Sequence, residues 1–167
     1  MIKEMHRNIV KEFIDDNQFY FQFEEDFVEE NIRCIPMIVR FKLDACGIKL
    51  QLKEWCKFSI DVRNELCEKE CNDSLELQFY RNYLQKLIYT YTGKEATNLL
   101  IDINPELAIL NTIPLVIEQE LLKYNGTISL QQWNSLGDLK RFVLMKLSKP
   151  GHENRNFPMA LKEFGLA

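Results

Sequence analysis

The sequence predicts a mainly α-helical fold: a compact helical domain with two pseudo-repeated helix-turn-helix units and minor strand content. Apolar residues recur at helical spacing over most of the chain, and prolines or glycines mark where these stretches begin or end. Only Phe19, Phe21 and Phe23 alternate with their neighbours in the way typical of a strand. With 167 residues, 46% of them hydrophobic, the chain is expected to form one domain with its own core.

The N-terminal part of the chain is predicted to contain three helices before its longest one. Apolar residues at helical spacing predict an amphipathic helix over residues 1–17. The next helix is expected to begin at Pro36 and to end at Gly47, because proline suits the first turn of a helix and glycine its end. A third helix is expected to follow Ser59, whose hydroxyl can cap it, and to continue to about Glu70.

The longest helix is predicted to follow Asp73, which opens a capping-box pattern, and to end at Gly93. Pro114 begins the next helix, which the Asn-Gly pair at Gly126 ends, and a second capping box begins at Ser129. The single domain 1–167 is therefore predicted to contain the N-terminal helix (1–17), a first half (18–93), a connection (94–111) and a second half (112–167). The connection is the least periodic part of the chain and is expected to be mobile.

The two halves share an order of features that indicates a weak internal repeat. In the first half Trp55 follows a helix that ends at glycine, and Arg63 lies in the next helix. In the second half Trp133 and Arg141 occupy the corresponding places. Each unit is therefore expected to be a helix, a tight glycine turn, a short extended bridge and a helix, with the tryptophan packed under the turn.

Metal binding is not expected from the sequence. Cys67 and Cys71 lie four residues apart on a predicted helix and could hold a metal together, but no second close pair completes a four-ligand site. The second unit resembles a calcium loop in spacing, yet it has Lys123 and Gln132 where calcium needs carboxylates. The five cysteines are an odd number without a secretion signal, so we expect free and mostly buried thiols.

Charge and motifs exclude several classes of function. A net charge of -4 disfavours nucleic-acid binding, which usually requires a basic face. The absence of a long apolar run or a signal-like N-terminus leads us to expect a soluble, cytoplasmic protein. His152 and Glu153 could act as an acid-base pair, but no nucleophile, glycine-rich phosphate loop or nucleophile elbow accompanies them. We therefore expect a protein that is not an enzyme.

A polar turn between two apolar helical segments is the strongest candidate for a binding site. It carries an acid, basic side chains, an imidazole and two amides, whereas a simple connection would use small residues. Its side chains either recognise a partner or cap the neighbouring helix ends, and the sequence leaves both interpretations open. The turn, here called the polar turn, consists of Lys149, Pro150, Gly151, His152, Glu153, Asn154, Arg155 and Asn156.

Several segments of the chain resemble the nitrate reductase-associated proteins of cyanobacteria. The resemblance covers roughly Phe19 to Leu166 and leaves out the N-terminal helix. The segments that carry it are Phe23 to Val28, Arg33 to Asp44, Gly47 to Leu50 with Trp55, Tyr80 to Leu87, Ser129 to Trp133, Arg141 with Phe142, Leu147 to Phe157, and Ala160 to Leu166.

The resemblance implies a role in nitrate assimilation without a defined biochemical step. Members of the family are encoded near nitrate reductase and molybdenum-cofactor genes, and at least some are needed for nitrate reductase activity. The resemblance therefore implies an accessory or maturation factor that binds nitrate reductase, with no catalytic residues and no cofactor of its own. The alternative is a binding or carrier protein for the molybdenum cofactor, whose phosphate would meet basic and amide side chains and whose pterin would enter an apolar cleft.

The residues expected to bind the partner or ligand combine the polar turn with basic residues of the first half. Arginine is suited to carboxylates and phosphates because its guanidinium group donates two parallel hydrogen bonds. For Arg33 and Arg40 the competing interpretation is a salt bridge to a nearby Glu24, Glu25 or Asp44. The expected binding residues are Arg33, Arg40, Lys49, Lys149, His152, Glu153, Asn154, Arg155 and Asn156.

Overall fold

The computed structural model describes residues 20–24, 32–99 and 111–167, so the predicted N-terminal helix over residues 1–17 lies outside the described residues. The chain divides into two compact units, Met1–Ile103 and Asn104–Ala167. The boundary falls inside the predicted connection 94–111. The expectation that the two units form one domain stays a prediction.

The described part of the first unit is mainly helical. Its α-helices are α1 (Met37–Cys46), α2 (Leu52–Trp55), α3 (Ile60–Glu68) and α4 (Ser74–Thr92), with a 3-10 helix at Gln22–Glu24 and strands β1 (Ile48–Lys49) and β2 (Thr97–Asn98). The strands pair antiparallel, with Ile48 opposite Asn98 and Lys49 opposite Thr97.

The ends of α1 and α4 lie where the glycines predict them. Pro36 immediately precedes α1, and Gly47 ends it in the left-handed conformation with φ 69°. Gly93 ends α4 in the same way, with φ 68°. A side chain at either position would be strained, because only glycine adopts this conformation at little cost.

Side-chain caps fix the starts of α3 and α4. The Ser59 hydroxyl accepts a hydrogen bond from the backbone N–H of Val62, and the Asp73 carboxylate accepts from the N–H groups of Leu75 and Glu76. Both helices bury apolar residues against the same core. The fully buried side chains of this unit include Trp55, Leu66, Tyr80, Leu84 and Ile88.

The strand predicted around Phe19 to Phe23 is wrong for the residues that the structure describes, 20–24. Instead Gln22–Glu24 forms a 3-10 helix, and the rings of Phe21 and Phe23 stack with their centroids 5.4 Å apart. The cause is the Glu24 carboxylate, which accepts hydrogen bonds from the N–H of Phe21 at 3.0 Å and of Met37 at 2.8 Å. These bonds curl the segment and cap the first turn of α1, which Pro36 does not cap.

The second unit is helical in its described part as well. It contains α5 (Leu115–Leu122), α6 (Leu130–Ser135), α7 (Asp138–Leu147), a 3-10 helix (His152–Asn156) and α8 (Phe157–Glu163). The capping box at the start of α6 is confirmed: the Ser129 hydroxyl accepts from the Gln132 N–H, and the Gln132 side chain accepts from the Ser129 N–H. None of the helices in the described ranges combines the length and the apolar composition that a bilayer crossing requires.

The mainly α-helical fold class is confirmed by these elements, whereas the internal repeat stays a prediction. The described residues do share several features at a constant separation: Trp133 lies 78 residues after Trp55, Arg141 lies 78 residues after Arg63, and all four side chains are buried. Further pairs at the same separation are Pro36 and Pro114 before helices, Gly47 and Asn125 with positive φ, Gln51 and Ser129 in capping boxes, and the fully buried Leu66 and Leu144.

Candidate functional site

The polar turn is held to the end of α7 by the amide of Asn154, and a serine hydroxyl satisfies a further carbonyl there. The Asn154 side-chain amide donates to the carbonyl oxygen of Leu147 at 3.1 Å, and the Ser148 hydroxyl donates to the carbonyl of Met145 at 2.9 Å. These carbonyls belong to the last turn of α7, whose acceptors have no partner further along the helix. Asn154 therefore performs the capping role that the sequence left open.

The polar turn separates into buried and exposed side chains. Asn156 is only 7% exposed and precedes Phe157, which is fully buried and stacks on Tyr124 with a centroid distance of 6.2 Å. Lys149 and Arg155 are exposed. The turn thus buries Asn156 next to the start of α8 and exposes two cationic side chains. The side chains of His152 and Glu153 lie outside the described residues.

The three basic residues expected in the first unit are in different environments. Arg33 and Lys49 are exposed, and Lys49 lies on β1. Arg40 is half-buried, and its Nε donates to the carbonyl oxygen of Ile35 at 3.0 Å. Arg40 therefore helps to shape the chain before α1, whereas Arg33 and Lys49 are available at the surface of their unit.

The backbone next to Arg33 is fixed by two buried side chains that are not among the predicted binding residues. Trp55 Nε1 donates to the carbonyl oxygen of Ile32 at 2.7 Å. The guanidinium of Arg63 donates to the same oxygen at 3.4 Å, to the carbonyl of Trp55 at 3.2 Å and to that of Cys56 at 2.9 Å. Arg63 is 8% exposed. The only sequence signal for it was its fixed distance from Trp55, which the repeat hypothesis used.

Lys42 is a buried cation that sequence reasoning missed. Its Nζ donates to the carbonyls of Cys67 and Lys69, both at 2.6 Å, and it is 5% exposed. A positive charge at the C-terminal end of α3 complements the helix dipole. Burial lowers the pKa of Lys42, since desolvation disfavours the charged form. Its role is to close the end of α3.

Three thiols of the first unit, Cys46, Cys67 and Cys71, are buried or half-buried. Burial raises the pKa of Cys46 to about 11 and that of Cys67 and Cys71 to about 12, because desolvation disfavours the thiolate. A thiol that stays protonated is a poor nucleophile and a poor metal ligand. Within the described ranges no group of three or more His, Cys, Asp or Glu side chains could hold a metal ion.

The second unit contains buried polar atoms without a partner among the described residues. They are Trp133 Nε1, Arg141 Nε and Glu120 Oε1. The other oxygen of Glu120 pairs with Lys123 at 2.5 Å, and the guanidinium of Arg141 pairs with Asp138. The indole N–H of Trp55 in the first unit thus has an acceptor, whereas that of Trp133 in the second unit has none among the described residues.

Comparison with known proteins identifies the family of the chain. The family model of conserved nitrate reductase-associated proteins matches residues 20–164. The chain belongs to this family. No curated protein and no solved structure matches the chain. The resemblance seen in the sequence is therefore confirmed, and the family name indicates an association with nitrate reductase. A cyanobacterial origin stays an expectation.

Proposed function

We propose that this protein is a non-catalytic accessory or maturation factor, required for nitrate reductase activity, that acts by binding the enzyme. The observation that carries the proposal is the family match over residues 20–164, because the family is named for an association with nitrate reductase. The protein needs no cofactor for this role. Its contribution is a surface that recognises the enzyme.

The polar turn supports the proposal by its chemistry. Lys149 and Arg155 are exposed on a segment whose backbone is anchored through the Asn154 amide and the buried Asn156. A cation on an anchored segment loses little conformational freedom on binding, so more of its interaction energy appears as affinity. An arginine there can form a two-pronged hydrogen-bonded pair with a carboxylate of the partner.

The first unit offers a second set of contacts. The exposed side chain of Arg33 projects from a backbone fixed by Trp55 and Arg63, and the exposed Lys49 lies on a paired strand. Both are cations on ordered backbone, like those of the polar turn. Arg40 contributes less directly, because its Nε already donates to Ile35. The partner surface that suits these residues is acidic.

The first experiment is capture of nitrate reductase by the tagged protein from two hosts, one that makes the molybdenum cofactor and one that does not. Capture of the cofactor-free enzyme alone supports an assembly role. Capture of both forms supports binding that persists after assembly. Capture of neither form, with molybdenum co-purifying on the protein itself, overturns the proposal in favour of a molybdenum-cofactor carrier.

A pair of substitutions tests the polar turn directly. Lys149→Ala with Arg155→Ala is expected to weaken capture at least tenfold while the melting temperature stays within about 1 °C of the wild-type value, since substitutions at exposed positions rarely change stability. Lys162→Ala, which removes an exposed cation from α8 of the same unit, is the matched control and should bind normally. Unchanged capture by the double variant would exclude the turn from the interface.

A further inference from the structure

We propose that Cys34 and Cys56 are a redox-active pair, which a hydroperoxide oxidises to an intramolecular disulfide. Cys56 is exposed and Cys34 is half-buried, and both are free thiols. They lie far apart in the sequence but belong to segments that contact each other in the first unit. The inference is independent of the proposed function, because it rests on the geometry of this unit alone.

One contact brings the two cysteines close together. Cys56 Sγ lies 3.8 Å from the carbonyl oxygen of Arg33, the residue before Cys34. In a trans peptide this oxygen lies about 2.8 Å from the next Cα, so the Cys34 Cα is within about 6.6 Å of the Cys56 sulfur. Rotation of the Cys56 side chain between rotamers moves the sulfur by about 3 Å, and the proposed bond requires that one of these rotamers points it towards Cys34, into disulfide geometry.

The two segments are held together by partly buried hydrogen bonds. Trp55 Nε1 donates to the carbonyl of Ile32, two residues before Cys34. Arg63 links the same carbonyl to that of Cys56 through its guanidinium group, at 3.4 Å and 2.9 Å. The backbone segments that carry the two thiols are therefore held close together, so that the effective concentration of one thiol near the other is high and the intramolecular bond is favoured over bonds between molecules.

The remaining cysteines are poor competitors for an oxidant. Burial raises the pKa of Cys46 to about 11 and that of Cys67 and Cys71 to about 12. At neutral pH almost none of these thiols is ionised, and the thiolate is the form that reacts with peroxide. Oxidation is thereby directed to the exposed Cys56.

The proposed reaction has two steps. The Cys56 thiolate attacks the hydroperoxide, whose O–O bond breaks, and a sulfenic acid forms while an alcohol or water leaves. The Cys34 sulfur then attacks the sulfenic sulfur, the S–O bond breaks, and water leaves as the S–S bond forms. The two thiols together lose two electrons and two protons, and the hydroperoxide is reduced to an alcohol, or to water in the case of hydrogen peroxide, plus one further water.

The test treats the reduced full-length protein with hydrogen peroxide and maps its peptides without reduction. The expected product is a linked pair of peptides carrying Cys34 and Cys56, with a mass lower by about 2 Da for the two hydrogen atoms lost. The number of free thiols should fall from five to three. Dithiothreitol should restore all five.

Serine variants decide which residues react. Cys34→Ser and Cys56→Ser should each abolish the linked peptides, whereas Cys71→Ser, the control outside the pair, should still form them. A linked product that persists in Cys34→Ser, a link involving another cysteine, or separate over-oxidised cysteines without any link would each overturn the proposal. Because the mapping on the wild-type protein is decisive alone, a variant that fails to fold does not weaken the test.

Discussion

Phenylalanine substitutions at the two tryptophans should have unequal effects on stability. Trp55 and Trp133 are both fully buried, so Trp55→Phe and Trp133→Phe remove similar apolar volume from a core. They differ in their indole N–H groups. The Trp55 group donates to the carbonyl of Ile32 at 2.7 Å, whereas the Trp133 group has no acceptor among the described residues.

The expected magnitudes follow from this difference. Loss of packing should destabilise both variants by about 1 to 2 kcal/mol, below the range for truncation of tryptophan to alanine. Trp55→Phe loses in addition a hydrogen bond worth about 1 kcal/mol. The Ile32 carbonyl keeps a donor in Arg63 at 3.4 Å, so it is not stranded. Trp133→Phe instead removes an unpaired buried donor, which relieves about 1 to 3 kcal/mol.

Trp55→Phe should therefore be less stable than Trp133→Phe by about 2 to 4 kcal/mol, and Trp133→Phe should be close to the wild type. Urea unfolding followed by far-ultraviolet circular dichroism measures the difference. Fluorescence of the remaining tryptophan reports separately on the unit that was not changed. Equal losses in the two variants would refute the reasoning, because they would mean that the Trp133 N–H has an acceptor as good as the Ile32 carbonyl.

Two further predictions concern the first unit. Glu24→Gln should lower the free energy of unfolding by about 1 to 2 kcal/mol, because one amide oxygen replaces the two carboxylate oxygens that accept from Phe21 and Met37. The control is Glu54→Gln, which should change stability little in chemical denaturation, because one oxygen of the Glu54 carboxylate accepts the capping bond from the Gln51 N–H. Equal losses in the two variants would contradict the capping role of Glu24. Stability should also fall as the pH rises from about 9 towards the folded-state pKa values of about 11 for Cys46 and about 12 for Cys67 and Cys71. The reason is that the unfolded chain releases these protons at lower pH than the folded chain does. The fall should reach up to about 1.4 kcal/mol per pH unit for each thiol. The lowered pKa of Lys42 makes stability rise with pH, but it is one group, whereas three thiols make stability fall. Melting temperatures measured under reducing conditions from pH 7 to about 10.5 test this, with a smaller slope expected for Cys71→Ser; a flat profile would contradict it.

The parts of the fold that were predictable are those that depend on local interactions. The Ser59, Asp73 and Ser129 caps bond to residues within one turn, and the left-handed ends at Gly47 and Gly93 need only a missing side chain. Such signals are complete within a few residues of sequence. The starts and ends of the main helices could therefore be predicted closely.

The errors and omissions involve contacts between distant residues. Glu24 curls the phenylalanine segment through a bond to Met37, which lies 13 residues away. Lys42 is buried because carbonyls 25 and 27 residues further along the chain accept from it. Neither partner could be assigned from periodicity, which would place a charged side chain at the surface. The polar turn was found because its composition is unusual, but only the structure separates its anchoring amides from its exposed cations.

This separation determines which residues are worth changing when partner binding is measured. Loss of Asn154 would free the last turn of α7 as well as alter the surface, so reduced binding by such a variant could not be assigned to recognition. Lys149 and Arg155 are exposed and therefore can be changed with little effect on folding. The same logic favours Arg33 over Arg40, whose Nε already donates to Ile35. Binding measurements on the exposed cations can consequently distinguish recognition from stability, which measurements on the amides cannot.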